Sequence, residues 1–239
     1  MPITDAIIVG AGSGTRLGHS EPKAFVDLCG EPILYYSLKT LLAHPSVYQV
    51  ILVVPPVMVD RTNDFVRKHD AFADRRVSVT AGGAERWESV RNGCLLSAET
   101  SNSEWVMIHD AARPFVTQHV IDSVLNKACD FNCVITVTPV VDTIRTIENA
   151  ECGRCGVTID RSNLLRVGTP QLFRRSLLLS SFDQIKDMDA PPTDEAALFE
   201  LLGIKIGFAW GDPLNFKITA PADLEIARAL IKEKYAHTI

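Results

Sequence analysis

The sequence has no excess of positive charge. Its 239 residues carry 24 Lys and Arg against 29 Asp and Glu, a formal net charge of -5. That balance argues against a general nucleic-acid binder or a binder of anionic membrane surfaces. Any affinity for phosphate must come from cations gathered locally. The sequence also lacks a long hydrophobic run, and no apolar stretch approaches the roughly 20 residues that span a bilayer. The start, Met1-Pro2-Ile3-Thr4-Asp5, has no basic segment, and the apolar residues 6–9 are too few for a secretory signal. A cytoplasmic location, or an organelle reached with no visible transit signal, is therefore expected, with no membrane and no nucleic-acid partner. Internal repeats, low-complexity segments and linkers are missing too, so residues 1–239 are read as one domain. At 46% hydrophobic residues it can bury an ample core.

Cysteine is present but incomplete as a framework. Cys29, Cys94, Cys129, Cys133, Cys152 and Cys155 are spread along the chain. Cys152-Gly153-Arg154-Cys155 has no second C-x-x-C to complete a zinc site. A thioredoxin-type pair would open a helix, whereas this one sits in a Gly-rich turn between two β-like runs. It is read as a structural turn, with metal and redox use as the alternatives.

Two familiar phosphate loops are also missing. A P-loop needs G-x-x-x-x-G-K-[ST], and no Lys follows Gly14 or Gly18 in that frame. A dinucleotide fingerprint needs G-x-G-x-x-G; Gly10 and Gly12 fit, but Thr15 holds the third glycine position, and Asp27 comes too early for the ribose carboxylate. What is there is Ala6-Ile7-Ile8-Val9-Gly10-Ala11-Gly12-Ser13-Gly14-Thr15-Arg16-Leu17-Gly18, then Pro22-Lys23. A β-like run breaks into a glycine-rich loop followed by two cations. Glycines allow positive φ and let backbone N–H groups approach phosphate oxygens, and Arg16 and Lys23 can neutralise the charge. The plainer reading is a glycine turn between strand and helix with no ligand.

Downstream, β-like and helix-like stretches alternate. Ile33, Leu34, Leu38, Leu41 and Leu42 have helical spacing, and residues 50–54 form a buried-strand run stopped by Pro55-Pro56. Helices are expected at 60–69, 88–96 and 120–127, and strands at 77–80, 105–108 and 133–138. This rhythm predicts an α/β fold, a three-layer, mostly parallel Rossmann-like sheet. Ligands in such sheets gather outside the carboxyl ends of the strands. Residues 10–16, 82–86 and 109–113 fall there. The rhythm then changes. β-like pieces at 142–147 and 157–159 flank a polar turn at 148–156, which reads as an inserted hairpin. One monomer would bury it poorly, so a partner chain is expected to cover it. Helices are expected again at 173–182 and 195–202, a strand at 206–210, and a closing helix at 221–235 with Asp223 near its start.

Four segments carry a resemblance. They are Gly10-Ala11-Gly12-Ser13-Gly14-Thr15-Arg16 with Pro22-Lys23; Gly82-Gly83-Ala84-Glu85-Arg86-Trp87-Glu88-Ser89-Val90; His109-Asp110-Ala111-Ala112-Arg113-Pro114; and Phe216-Lys217-Ile218-Thr219 with Pro221 and Asp223-Leu224. In this order they resemble the 2-C-methyl-D-erythritol 4-phosphate cytidylyltransferase family, nearly end to end. Asp160-Arg161-Ser162-Asn163-Leu164, Thr169-Pro170-Gln171 and Thr193-Asp194-Glu195-Ala196 match further motifs. The resemblance implies a nucleotidyltransferase-type fold and transfer of CMP from CTP to 2-C-methyl-D-erythritol 4-phosphate, with release of pyrophosphate, in the non-mevalonate isoprenoid route. The chemistry suits the residues. The attacking phosphate is already a nucleophile, so positioning and electrostatics are the main requirements.

The resemblance also implies roles. Gly10, Ala11, Gly12 and Gly14 match the loop that wraps the triphosphate, Arg16 and Lys23 the cations on it, and Lys217 a further lysine at the reacting centre. Asp110 closes a buried strand on the ligand edge, where a carboxylate suits Mg²⁺; the family uses this Asp near both metal and substrate. Arg113 is a planar, always charged partner for the sugar phosphate or a neighbouring carboxylate. Gly82, Gly83 and Ser89 match the cytosine-reading loop. The hairpin at about 140–161 resembles an arm that clasps a second subunit in a homodimer. Thr143 and Arg161 match residues reaching the methylerythritol phosphate, Arg161 from the other chain, with Asp142 as a supporting carboxylate.

The chain departs from the family at Val9-Gly10-Ala11-Gly12, where Pro-Ala-Ala-Gly is usual, and at Arg145, where Lys is usual. Gly168 replaces a larger residue, and Trp87 a polar or small one. None of these removes a charge the chemistry needs. The neighbouring readings are a ribitol 5-phosphate cytidylyltransferase, a sugar-1-phosphate nucleotidyltransferase and a non-catalytic nucleotide-binding module.

Overall fold

A computed structural model of the chain describes residues 1–12, 21–72, 76–187 and 192–236. In chain order the elements are β1 (Thr4–Val9), β2 (Asp27–Leu28), β3 (Glu31–Pro32), α1 (Ile33–Leu42), β4 (Val47–Val54), α2 (Val59–Lys68), β5 (Val77–Ala81), α3 (Arg86–Thr100) and β6 (Trp105–Asp110). There follow α4 (Gln118–Leu125), β7 (Cys133–Pro139), β8 (Ile144–Asn149), β9 (Arg154–Ile159), β10 (Leu165–Arg174), α5 (Arg175–Ser181), α6 (Ala196–Leu201), β11 (Ile206–Trp210) and α7 (Pro221–Ala236).

Seven strands make one sheet in the order β11-β7-β10-β6-β1-β4-β5. All neighbours are parallel except the pairs made by β10, which runs antiparallel to β6 and β7. Helices cover both faces, which is why residues 50–54 of β4 read as a continuous apolar run rather than an alternating one. Successive strand residues point to opposite cores. Ile8, Leu52 and Met107 pack with residues of α1, α4 and α7, while Ile7, Ile51, Val53 and Ile108 pack with residues of α3, α5 and α6. The expected mostly parallel, three-layer sheet is thus what the chain forms.

Three expectations need correction. Strand β10 was not anticipated, because Pro170 interrupts the run and a proline inside an apolar stretch argues against a central strand. The ladder with β7 accommodates it by a register break between Gly168 and Leu172. The helix expected from residue 173 begins at Arg175, since Phe173 and Arg174 still belong to β10. The hairpin turn is tighter than expected: β8 and β9 leave only residues 150–153 between them, with Gly153 at a φ of +67° that favours glycine. This hairpin is a sheet of its own, and Ile147 and Val157 on it are 76% and 71% exposed. Cys152 and Cys155 at its tip are free and exposed, and among the described residues no cluster of three or more His, Cys, Asp or Glu could hold a metal. No helix among the described residues is long and apolar enough to cross a membrane.

Candidate active site

The parallel register sets Val9 beside Val53 and Asp110, and Val54 beside Ala81. The loops after β1, β5 and β6 therefore emerge at one edge of the sheet. Between them lies a cleft of about 260 Å³, lined by Gly10, Ala11, Gly12, Lys23, Gly83, Arg86, Ser89, Asp110 and Lys217 among others.

The glycines serve close approach rather than positive φ. Gly10 and Gly12 are not among the positive-φ residues of the chain, which corrects the conformational reason given for them from sequence. A Cβ at Gly10 would sit 3.1 Å from Ala24 Cβ and 3.3 Å from Ala111 Cβ, tighter than ordinary packing. At Gly82 it would lie 2.3 Å from Ala11 Cβ, so the loops after β1 and β5 touch only because Gly82 has no side chain. The loop from Gly82 runs into α3 through a capping box. The Glu85 N–H donates to Glu88 Oε2 at 2.9 Å, and the Glu85 side chain accepts from the Glu88 backbone. Gly83 N–H donates to Ser89 Oγ at 3.1 Å, and that hydroxyl donates to Glu85 O at 3.3 Å. Ser89 thus braces the loop it was expected to serve.

Asp110, at the end of β6, is the charged centre of the cleft. Lys217 Nζ lies 2.9 Å from its Oδ2, Arg86 Nη2 3.4 Å from its Oδ1 and Arg113 Nε 3.6 Å from its Oδ2. Burial works to raise the Asp110 carboxyl, but Arg86, then Lys217 and Arg113, outweigh it and hold it well below the usual carboxylate range. Asp110 is an anion at neutral pH. Arg86 is anchored in turn by Glu195, its Nη1 lying 2.6 Å from both carboxylate oxygens. Lys217 is placed by backbone and cap together. Ile218 N–H donates to Ala112 O at 2.8 Å, and Asp223 accepts from Thr219 N, Thr219 Oγ1 and Ala220 N at 2.7–2.8 Å.

Behind Asp110 runs a directional hydrogen-bond chain. Asp110 N–H donates to Thr169 Oγ1 at 3.1 Å. Thr169 Oγ1 is 3.1 Å from His109 Nδ1, and His109 Nε2 is 3.0 Å from Arg113 O. A carbonyl can only accept, so Nε2 carries the proton and Nδ1 accepts from Thr169. Burial lowers the His109 pKa to about 4, against the Arg113 carbonyl, which works to raise it. His109 is neutral and holds the Asp110–Arg113 turn. Arg113 also lines a second, polar cleft with Arg166, Thr138, Asp212 and Asn215, so its guanidinium stands between the two.

The structure therefore gathers Gly10, Ala11, Gly12, Lys23, Gly83, Ser89, Asp110 and Lys217 on one cleft, with Gly82 beneath it and Arg113 beside it. Thr143 and Arg161 stand apart on or at the base of the arm, both exposed, with the Arg161 guanidinium donating to Val141 O. Gly14 and Arg16 lie outside the described residues. Trp87 packs against Phe182, ring centroids 6.3 Å apart. Sequence reasoning gave no role to Arg86 or Glu195. A partial signal existed: Arg86 is the first residue of a helix, where the backbone dipole disfavours a cation, so an acidic partner would offset that cost.

Mg²⁺ usually takes one or two carboxylates and completes its shell with phosphate oxygens and water. Asp110 is one ionised carboxylate on the cleft, which fits an ion arriving with a phosphate chain rather than one caged by protein alone.

A family model described as 2-C-methyl-D-erythritol 4-phosphate cytidylyltransferase matches residues 4–233. The chain belongs to this family. A member from Rhodococcus opacus is 39% identical over 229 residues, covering 95% of each chain. One from Syntrophus aciditrophicus is 34% identical over 233 residues, covering 98% of this chain and 97% of its own. Among solved structures, a 4-diphosphocytidyl-2C-methyl-D-erythritol synthase from Anaerococcus prevotii superposes with a TM-score of 0.81 at 26% identity, covering 97% of this chain and 96% of its own.

Proposed function

We propose that the chain transfers CMP from CTP to 2-C-methyl-D-erythritol 4-phosphate, giving 4-diphosphocytidyl-2-C-methyl-D-erythritol and pyrophosphate in isoprenoid biosynthesis. The observation that carries the reading is the set of cations around Asp110. Arg86, Arg113 and Lys217 all reach this carboxylate at the mouth of a glycine-lined cleft, in a chain of net charge -5. A locally cationic, partly enclosed edge suits a reaction in which two anions must meet.

In this reading a sugar-phosphate oxygen attacks the α-phosphorus of CTP. One P–O bond forms as the bond to the β-phosphate breaks, and pyrophosphate leaves with the electron pair. No strong base is needed. Gly10, Ala11, Gly12 and Gly14 hold the triphosphate, Arg16 and Lys23 neutralise it, and Lys217 stabilises the charge that develops at the α-phosphate. Gly82, Gly83 and Ser89 face the cytosine. Arg113 takes the sugar phosphate, together with Thr143 and Arg161 brought by the arm of a second copy. The exposed apolar residues Ile147 and Val157 on the arm support a homodimer. Mg²⁺, when bound at Asp110 with the triphosphate, supplies further charge neutralisation.

The test is pyrophosphate release by the purified chain with CTP and Mg²⁺, comparing methylerythritol phosphate, ribitol 5-phosphate and no acceptor. The expected kcat/KM is at least ~10-fold higher with methylerythritol phosphate than with ribitol 5-phosphate. The reverse order reassigns the acceptor. No release with either overturns the reading.

A further inference from the structure

Arg86 lines the cleft and Glu195 sits behind it, and the geometry of the pair has a direction. Glu195 immediately precedes α6 and is 1% exposed. Burial raises its carboxyl above the usual range, and Arg86 works against that. Both carboxylate oxygens meet one guanidinium nitrogen, Arg86 Nη1, at 2.6 Å. The other terminal nitrogen, Nη2, is then left to face Asp110 Oδ1 at 3.4 Å. Asp110 Oδ2 meets Lys217 at 2.9 Å, with Arg113 Nε farther off at 3.6 Å. A rigid, planar fork converts one anchor into an aim for the other arm. The pair is also costly to keep. A cation at the first turn of α3 opposes the helix dipole, and a buried ion pair often stabilises a fold less than apolar residues of the same volume. Neither cost is explained by α3, whose start is already closed by the Glu85–Glu88 box.

We infer that Glu195 and Arg86 are positioning residues for the transfer: Glu195 locks the Arg86 guanidinium, Arg86 fixes the Asp110 carboxylate, and Asp110 thereby holds the Lys217 ammonium at the cleft. This inference rests on the proposed transferase reading. It assigns to the α6 side of the sheet a role in aligning a lysine carried on the opposite side, beside α7.

A double-mutant cycle on kcat tests the relay, with pyrophosphate release from CTP and the sugar phosphate as readout. Glu195→Gln should lower kcat by at least ~10-fold, with KM for CTP changed less than about 3-fold. In an Asp110→Asn background the same substitution should change kcat by less than about 3-fold, because the group it acts through is gone. Equal losses in both backgrounds overturn the relay. If Glu195→Gln is too unstable to assay, Arg86→Met with Glu195→Leu removes both charges at similar volume. A merely structural pair predicts that this double variant folds and turns over like the wild type. The relay predicts that it folds and stays at least ~10-fold slow. Failure of the transferase reading looks different, since the wild type itself then releases no pyrophosphate. In that event a crystal structure of Glu195→Gln decides: Arg86 displaced beyond 4 Å from Asp110 keeps the relay, and Arg86 unmoved overturns it.

Discussion

Two buried aspartates stand on neighbouring parallel strands, at opposite ends of the sheet. Asp5 lies near the amino end of β1 and Asp110 at the carboxyl end of β6. Asp5 is 0% exposed, and its Oδ2 accepts from Ser97 Oγ at 2.6 Å, Ser101 Oγ at 2.5 Å and Gln49 Nε2 at 3.1 Å. Its nearest cation, Arg175, is 3.7 Å away and spends its hydrogen bonds on Ser97 and Ser101. Asp110 instead opens on a cleft and is met by three cations. One carboxylate is held through Oδ2 mainly by neutral dipoles, its Oδ1 buried with no hydrogen-bond partner, and it closes a corner of the fold. The other carries more positive charge around it than it needs. An open cluster of that kind is matched to a ligand that brings negative charge.

The sharpest break of this contrast is at the open end. Lys23→Ala should slow pyrophosphate release by at least ~100-fold while the chain stays folded, by analogy with loss of one donor to a developing charge. Steady-state kinetics beside an unfolding curve checks both halves. Next in size is the arm. Arg161→Ala should lower kcat/KM for the sugar phosphate by roughly 10- to 100-fold and leave CTP affinity nearly unchanged, as expected for one charge-assisted contact. Mixed with Lys23→Ala chains, it should regain activity in heterodimers that hold one intact site. Confirmed subunit exchange with no recovery would show that Arg161 does not act across an interface. A smaller effect concerns the residue expected to hold the ion: Asp110→Asn should raise the Mg²⁺ concentration needed for half-maximal rate by several-fold or more, whereas removing the ion altogether with excess EDTA should abolish turnover.

The smallest effect is on stability and sits behind Asp110. His109 has a folded pKa lowered to about 4, below its ordinary 6.5. Between those values the unfolded chain binds more protons than the folded one, so this group's contribution falls as pH drops from 6.5 toward 4. The loss amounts to at most about 3 kcal/mol. Denaturant unfolding at pH 7 and pH 4.5 should show a smaller acid loss in His109→Gln than in the wild type. An identical acid loss would mean that His109 is not buried neutral.

Much of the geometry of the open end was legible in the sequence because glycine-rich loops at strand ends carry their signal locally. Glycines at 10, 12, 82 and 83, a strand ending in Asp110 and a lysine before a capped helix each announce themselves within a few residues. The apolar pattern likewise placed α1, β4, β11 and α7 within three residues. Long-range pairing was not legible. Strand β10 is defined by partners on β6 and β7, and its own run is half exposed and broken by Pro170. The Arg86–Glu195 pair spans 109 residues of sequence, so no spacing rule could join them. The Asp5 corner was invisible for the same reason: Gln49, Ser97, Ser101 and Arg175 are ordinary polar residues until the fold brings them together. Gly10 shows a subtler limit, since its glycine was anticipated and the reason for it, contact with Ala24 and Ala111, was not.

The most direct test of the central claim puts the two ends side by side: kcat of Lys217→Ala and of Asp5→Asn, each normalised to folded protein from its unfolding curve. The account predicts that Lys217→Ala keeps the wild-type unfolding midpoint and loses at least ~100-fold in kcat. Asp5→Asn should lose on the order of 2 kcal/mol of stability and keep wild-type kcat. Near-normal turnover in folded Lys217→Ala, or an equal loss of kcat in Asp5→Asn, would contradict it.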